Sequence, residues 1–205
     1  QAPQETEAYI TYMNEVLDHD PPRVVAMQAR YYIDNAYRIA ERGAEAIAAY
    51  EQLLQNFSDM AAYDTMMYAH INLGWLYLHS DLPEDEAVQK ARQVYWKAAT
   101  TKPEDMRFSS KALDPEDVEQ ARDMVEAAES GVALDEDGQP LWTREQAEES
   151  LALIEQIRGQ RVGHLRSIAA GWYARTFIDE DDLEGSRPRV EALKGTRADD
   201  GGFQK

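Results

Sequence analysis

Cysteine is absent from all 205 residues. That excludes disulfides, thiol nucleophiles, CxxC redox pairs, zinc knuckles and c-type haem attachment. Basic residues are scarce as well: 21 Lys and Arg stand against 39 Asp and Glu, a net charge of −18. Nucleic acids and anionic membrane surfaces, which draw their affinity from Lys and Arg, are poor partners for such a chain. No apolar run approaches the ~18 residues needed to span a bilayer, so membrane insertion is not expected. Alternating β-branched runs are missing too, while Ala, Glu, Gln, Leu and Arg dominate. The expectation is an all-α chain.

Signatures of catalysis are also lacking. GxSxG, HExxH, GxxxxGK and GxGxxG do not occur. The many carboxylates allow acid pairs to be picked at will, so no pair is informative, and no catalytic or cofactor-binding residue is assigned. His70 and His79 lie nine residues apart, off the spacing of a helical metal pair. The acids from Asp81 to Glu86 suit a helix N-terminus better than a hard cation. Asp135-Glu136-Asp137-Gly138 lacks the remaining ligands of a calcium loop. No metal is expected.

What is present is helical periodicity. Residues 5–19 place Tyr9, Ile10, Met13, Val16 and Leu17 at helical spacing. Pro21-Pro22 then opens a long helix over 22–42, ended by Gly43. Residues 44–57 supply its antiparallel partner. A second pair spans 59–79 and 83–101, and Pro103 opens a short helix. Asp114-Pro115 starts another over 115–130. Asp137-Gly138, flanked by Leu134 and Leu141, is compatible with a small β-hairpin. Thr143-Arg144-Glu145-Gln146 reads as a capping box for a helix over 144–160, with Ala147, Leu151, Ile154 and Ile157 on its core face. A final helix over 162–178 follows a glycine. These last two helices predict a third, diverged hairpin.

The two central pairs repeat each other. Ile33 matches Leu73, Tyr37 matches Tyr77, Ala46 matches Ala91, Tyr50 matches Tyr95 and Leu53 matches Ala98. The stretch from Tyr68 to Pro103 has Leu73-Gly74 and Tyr77 on its first helix. Ala91, Tyr95 and Ala98 follow on the second, and Pro103 closes it. This resembles a tetratricopeptide unit. The first pair departs from that pattern, with Asp34 where the second has Gly74 and Ser58 where it has Pro103. The spacing is 13 residues from Ile33 to Ala46 but 18 from Leu73 to Ala91. The extra residues fall within Asp81–Lys90, and insertions in such arrays map to loops on one face, often the binding face.

The resemblance covers about residues 24–105. It divides the chain into an N-terminal helix (1–23), two tetratricopeptide-like hairpins (24–105), a diverged hairpin region (106–178) and a charged tail (179–205). Antiparallel hairpins stacked as a short solenoid are implied. So is a non-catalytic function, as a protein-interaction scaffold or accessory subunit. The concave surface of such an array would place Arg30, Asp34, Tyr37, Tyr63, Met67, His70 and Trp75 against the partner. That partner should present a basic patch. Assembly with copies of itself or with other chains both fit. Tyr31, Trp75 and Trp96 fall off the core stripe and suit either interface anchors or a further helical layer.

Two further expectations complete the reading. The opening QAPQETEAY, without Met, resembles a mature end left after removal of an export signal, which points to an extracytoplasmic site, periplasmic or secreted. The alternative function is then an exported accessory that binds a small ligand or a solute-binding protein. From Asp179 the composition becomes charged and poor in apolar residues, so an acidic, poorly structured tail is expected, lying against a neighbouring chain or its own body.

Overall fold

The computed structural model describes residues 3–102, 105–109, 115–130 and 143–178. Among the described residues, seven α-helices follow one another: α1 (Pro3–Asp18), α2 (Arg23–Ile39), α3 (Gly43–Asn56), α4 (Asp64–Leu78), α5 (Glu84–Ala99), α6 (Pro115–Ser130) and α7 (Arg144–Ile178). A single 3-10 turn, Ser58–Met60, precedes α4. No strand occurs among the described residues, although Tyr63 and Arg107 form one isolated bridge. The fold is therefore all-α, built of antiparallel helical hairpins packed against their neighbours. The expected β-hairpin near Asp137-Gly138 and the charged tail lie outside the described residues.

The α4 helix sits at the centre. Met66, Met67, Ala69, His70, Ile71, Leu73, Gly74, Leu76 and Tyr77 are all buried, so the helix is enclosed on nearly its whole circumference. It packs on α3, α5, α2 and α7. One apolar cluster runs from Met27 of α2 through α3, α4 and α5 to Leu165, Ala169, Tyr173 and Phe177 of α7. A smaller cluster of Ile10, Ile33 and Ala36 fastens α1 to α2.

The close approach of α4 to α5 rests on one glycine. A Cβ at Gly74 would fall 2.6 Å from Cε1 and Cζ of Tyr95, so the Tyr95 ring lies directly on the Gly74 backbone. Ala91 and Tyr95 are both fully buried. On its far side Tyr95 stacks on Trp172 of α7, with ring centroids 6.2 Å apart and planes inclined by 13°. The side chain of Arg92 closes the same joint. It donates to the Thr176 carbonyl at 2.7 Å and lies 3.8 Å from the Phe177 ring centroid.

Several helix starts follow the sequence closely. Pro22 and Pro83 occupy the caps of α2 and α5, and Pro115 is the first residue of α6. At α7 the Thr143 hydroxyl accepts from the Gln146 amide at 3.2 Å, and the Gln146 side chain accepts from the Thr143 amide at 3.0 Å. That reciprocal pair is the expected capping box.

Four boundaries differ from expectation. The helix read from residue 59 begins only at Asp64, after the 3-10 turn Ser58–Met60. The helix read to Glu41–Arg42 and closed by Gly43 ends at Ile39 instead. Glu41 takes the left-handed conformation, φ 58°, its amide bonds the Arg38 carbonyl, and the Arg42 amide bonds the Tyr37 carbonyl. This is a Schellman closure with a glutamate in the place glycine usually fills, and Gly43 begins α3. The short helix expected after Pro103 is not seen at Met106–Phe108, where Arg107 bridges Tyr63. Lastly, the hairpin expected between 144–160 and 162–178 is one 35-residue helix. Gly159 costs a helix only about 1 kcal/mol, and no proline or turn sequence accompanies it. The hairpin of this region joins α6 to α7, fixed by the Arg122 to Glu155 ion pair at 2.8 Å. Ile157, expected in its core, is 41% exposed.

Candidate interaction site

An open cleft of about 780 Å³ lies at the end of the bundle where the α2–α3 and α4–α5 turns meet. Ile47, Leu76 and Leu82 give it apolar wall, and Glu41, Glu51, Asp81, Arg38 and Lys90 also line it. The insertion predicted within Asp81–Lys90 supplies one side. Trp75 also lines it and is 37% exposed. Its ring stacks on His79 at 4.2 Å between centroids, and the His79 Nδ1 lies 2.7 Å from the Trp75 carbonyl one turn back. Lys90 lies 3.9 Å from Glu51 and 5.2 Å from the Tyr77 ring centroid, so it lies along the cleft wall.

A second concavity, about 260 Å³, opens between α1, α2 and α3. Its rim is exposed and polar: Asn14, Arg30, Gln52 and Asn56. Its floor is buried: Ile33, Asp34, Leu53 and Phe57. Asp34 is 3% exposed, and its Oδ2 has no hydrogen-bond partner among the described residues. Burial pushes the Asp34 carboxyl up to about 7, against the opposing pull of the Arg30 charge. In the second hairpin the matching position is Gly74, under the Tyr95 ring.

The seven residues predicted for a partner surface do not form one face. Arg30, Asp34 and Tyr37 converge on the smaller pocket. Trp75 stands in the larger cleft. Met67 is fully buried and His70 is 3% exposed, since α4 is enclosed by its neighbours. Burial lowers the His70 pKa to about 4, and its Nδ1 is 2.7 Å from the Met66 carbonyl. Tyr63 is half-buried at the start of α4 and bridges Arg107. Of the three aromatics off the core stripe, Tyr31 packs inward, edge-on to Tyr32 and hydrogen-bonded by Asn72. Trp96 packs on Tyr173 at 5.2 Å and remains 37% exposed.

Sequence reasoning missed two groups. One is the polar rim from α3. Its signal was present, because Ala49, Gln52, Leu53 and Asn56 share one helical face and two of them are amides. The other is the junction at Asp64. Asp64 Oδ1 accepts from the Thr65 amide at 2.8 Å, the Ser109 amide at 3.0 Å and the Ser109 hydroxyl at 2.9 Å. Its Oδ2 lies 3.2 Å from Arg161. Ser109 and Arg161 are remote in sequence from Asp64, and no local pattern joins the three. No group of three or more His, Asp or Glu side chains suited to a metal ion occurs among the described residues. No described helix is long and apolar enough to cross a membrane. Comparison with family models, curated proteins and solved structures gives no match.

Proposed function

We propose that the chain is a tetratricopeptide-like interaction module, a non-catalytic scaffold or accessory subunit that binds another protein. The observation that supports this reading best is the open cleft holding Trp75. Exposed tryptophan in a concavity between helical hairpins is the kind of anchor on which binding energy concentrates. The repeat reading draws support from Gly74 beneath Tyr95, where a small residue admits the neighbouring helix. The acidic side chains in the cleft and the charge of −18 favour a partner with basic residues.

A photo-crosslinking residue at Ala44, inside the cleft, tests this against one at Gln93, outside it. The captured chain, purified, should bind the wild type, weaken at raised salt and bind Trp75→Ala at least about tenfold less tightly. Equal capture at Ala44 and Gln93, or unchanged affinity in the variant, refutes the assignment. A second reading, an accessory that takes a small ligand, is favoured by the pocket at Asp34.

A further inference from the structure

We infer that the pocket between α1, α2 and α3 binds a small zwitterion, with Asp34 receiving its ammonium group and Arg30 its carboxylate. The inference does not depend on recognition of a protein at the Trp75 cleft. Three observations carry it.

First, Asp34 is buried with an unpartnered oxygen on the floor of a concavity. A buried carboxylate left without a partner is costly, so Asp34 holds its proton up to about pH 7 unless something supplies that partner. An ammonium group does so with a charge-assisted hydrogen bond. Second, Arg30 precedes Asp34 by one helical turn and lines the same pocket, yet no hydrogen bond or ion pair joins them among the described residues. Arg30 would repel a bare cation at Asp34. Asp34 and the strongly negative chain would repel a bare anion at Arg30. A molecule bearing both charges answers both side chains and enters without net charge.

Third, the enclosure suits a small body. Its volume of about 260 Å³ is below the ~300–1,000 Å³ of sites for drug-sized ligands. Ile33, Leu53 and Phe57 offer apolar wall, and the amides of Asn14, Gln52 and Asn56 stand at the mouth. Phe57 already carries Arg23, 5.0 Å from its ring centroid, and Tyr37 carries Arg42 at 4.6 Å. The rings therefore wall the pocket and do not form an open aromatic cage for a larger cation.

Calorimetric titration of the whole chain with L-valine, glycine and γ-aminobutyrate spans different charge separations. Isobutylamine and isobutyrate supply each charge alone. At least one zwitterion should bind saturably, and both single-charge analogues should bind at least about tenfold more weakly. Asp34→Asn and Arg30→Gln should each lose about tenfold or more of that affinity, with far-UV circular dichroism unchanged. Asp34→Asn keeps the side-chain shape while an amide nitrogen replaces one carboxyl oxygen, and the circular dichroism comparison separates lost binding from lost folding. Absence of saturable binding by all three zwitterions overturns the inference. So does isobutylamine binding as tightly as the best zwitterion with no effect of Arg30→Gln, which marks a plain cation pocket. Unchanged affinity in Asp34→Asn places the ligand elsewhere and overturns it too.

Discussion

Replacing Gly74 by alanine sets two opposing effects against each other. Alanine favours the helix by about 1 kcal/mol, since glycine loses more backbone freedom on folding. Against this, the new methyl carbon would sit 2.6 Å from two carbons of the Tyr95 ring and 3.0 Å from a third. Carbon atoms pack best at about 3.5–4.0 Å, so α4 and α5 must separate by most of an ångström or the ring must turn. Turning is resisted, because Tyr95 is fully buried and stacked on Trp172. Overpacking of this kind costs about 1–3 kcal/mol. The expected net loss is about 0–2 kcal/mol, a fall in Tm of up to roughly 8 °C for a chain of this size. Gly159→Ala and Gly171→Ala in α7 are the controls. A Cβ there meets nothing within 4 Å, so each should stabilise by about 0.5–1 kcal/mol. Urea unfolding followed by circular dichroism reads all three. If Gly74→Ala stabilises as much as the α7 variants, the α4–α5 contact is not as described. Gly74→Ala combined with Tyr95→Leu should recover part of the loss, which tests whether the ring is the obstacle.

Glu41 occupies a left-handed position that non-glycine residues adopt at a cost of about 1–2 kcal/mol. Glu41→Gly should therefore raise stability by roughly 1 kcal/mol in the same urea assay, and a loss would mean that the Schellman closure is not what ends α2. A second prediction concerns pH. Folded Asp34 keeps its proton up to about pH 7, whereas the unfolded chain releases it near 3.8. Its stabilising contribution is thus present below pH 4 and is lost as pH rises to 7. His70 acts the other way: neutral in the fold down to about pH 4 but ordinarily titrating at 6.5, it favours the fold above pH 6.5 and that contribution is lost towards pH 4. Asp34→Asn should then raise Tm at pH 8, leave it little changed at pH 4 and unmask the acid loss set by His70. Equal Tm for the two proteins at pH 8 would refute the burial argument.

Much of the architecture was legible because it is written in local chemistry. The capping box at Thr143 and Gln146, the prolines that open α2 and α6, and the small-against-large pair Gly74 and Tyr95 act over short sequence distances or match a repeated spacing. The errors share a different cause. Helical periodicity marks a buried face only when another face meets water. The α4 helix has almost no such face, so Met67 and His70 were placed on a surface they do not reach. Glycine permits a break in a helix without enforcing one. Glu41 closed α2 before Gly43, and α7 ran through Gly159. Asp34 stands where the first pair departs from the repeat pattern, yet its burial depends on α1 and α3, which the local sequence does not reveal. The Asp64 junction joins residues from three distant parts of the chain, and only the folded arrangement brings them together.

The 35 residues of α7 make a rod about 52 Å long. Its second half is locked into the core through Leu165, Ala169, Tyr173 and Phe177, whereas its first half rests on α6 and leaves Leu153 and Ile157 to solvent. One continuous helix therefore spans a firmly held end and a lightly held end. Fraying that starts near Arg144 can consume several turns without disturbing the aromatic joint at Trp172, giving the molecule a yielding arm on an otherwise rigid frame.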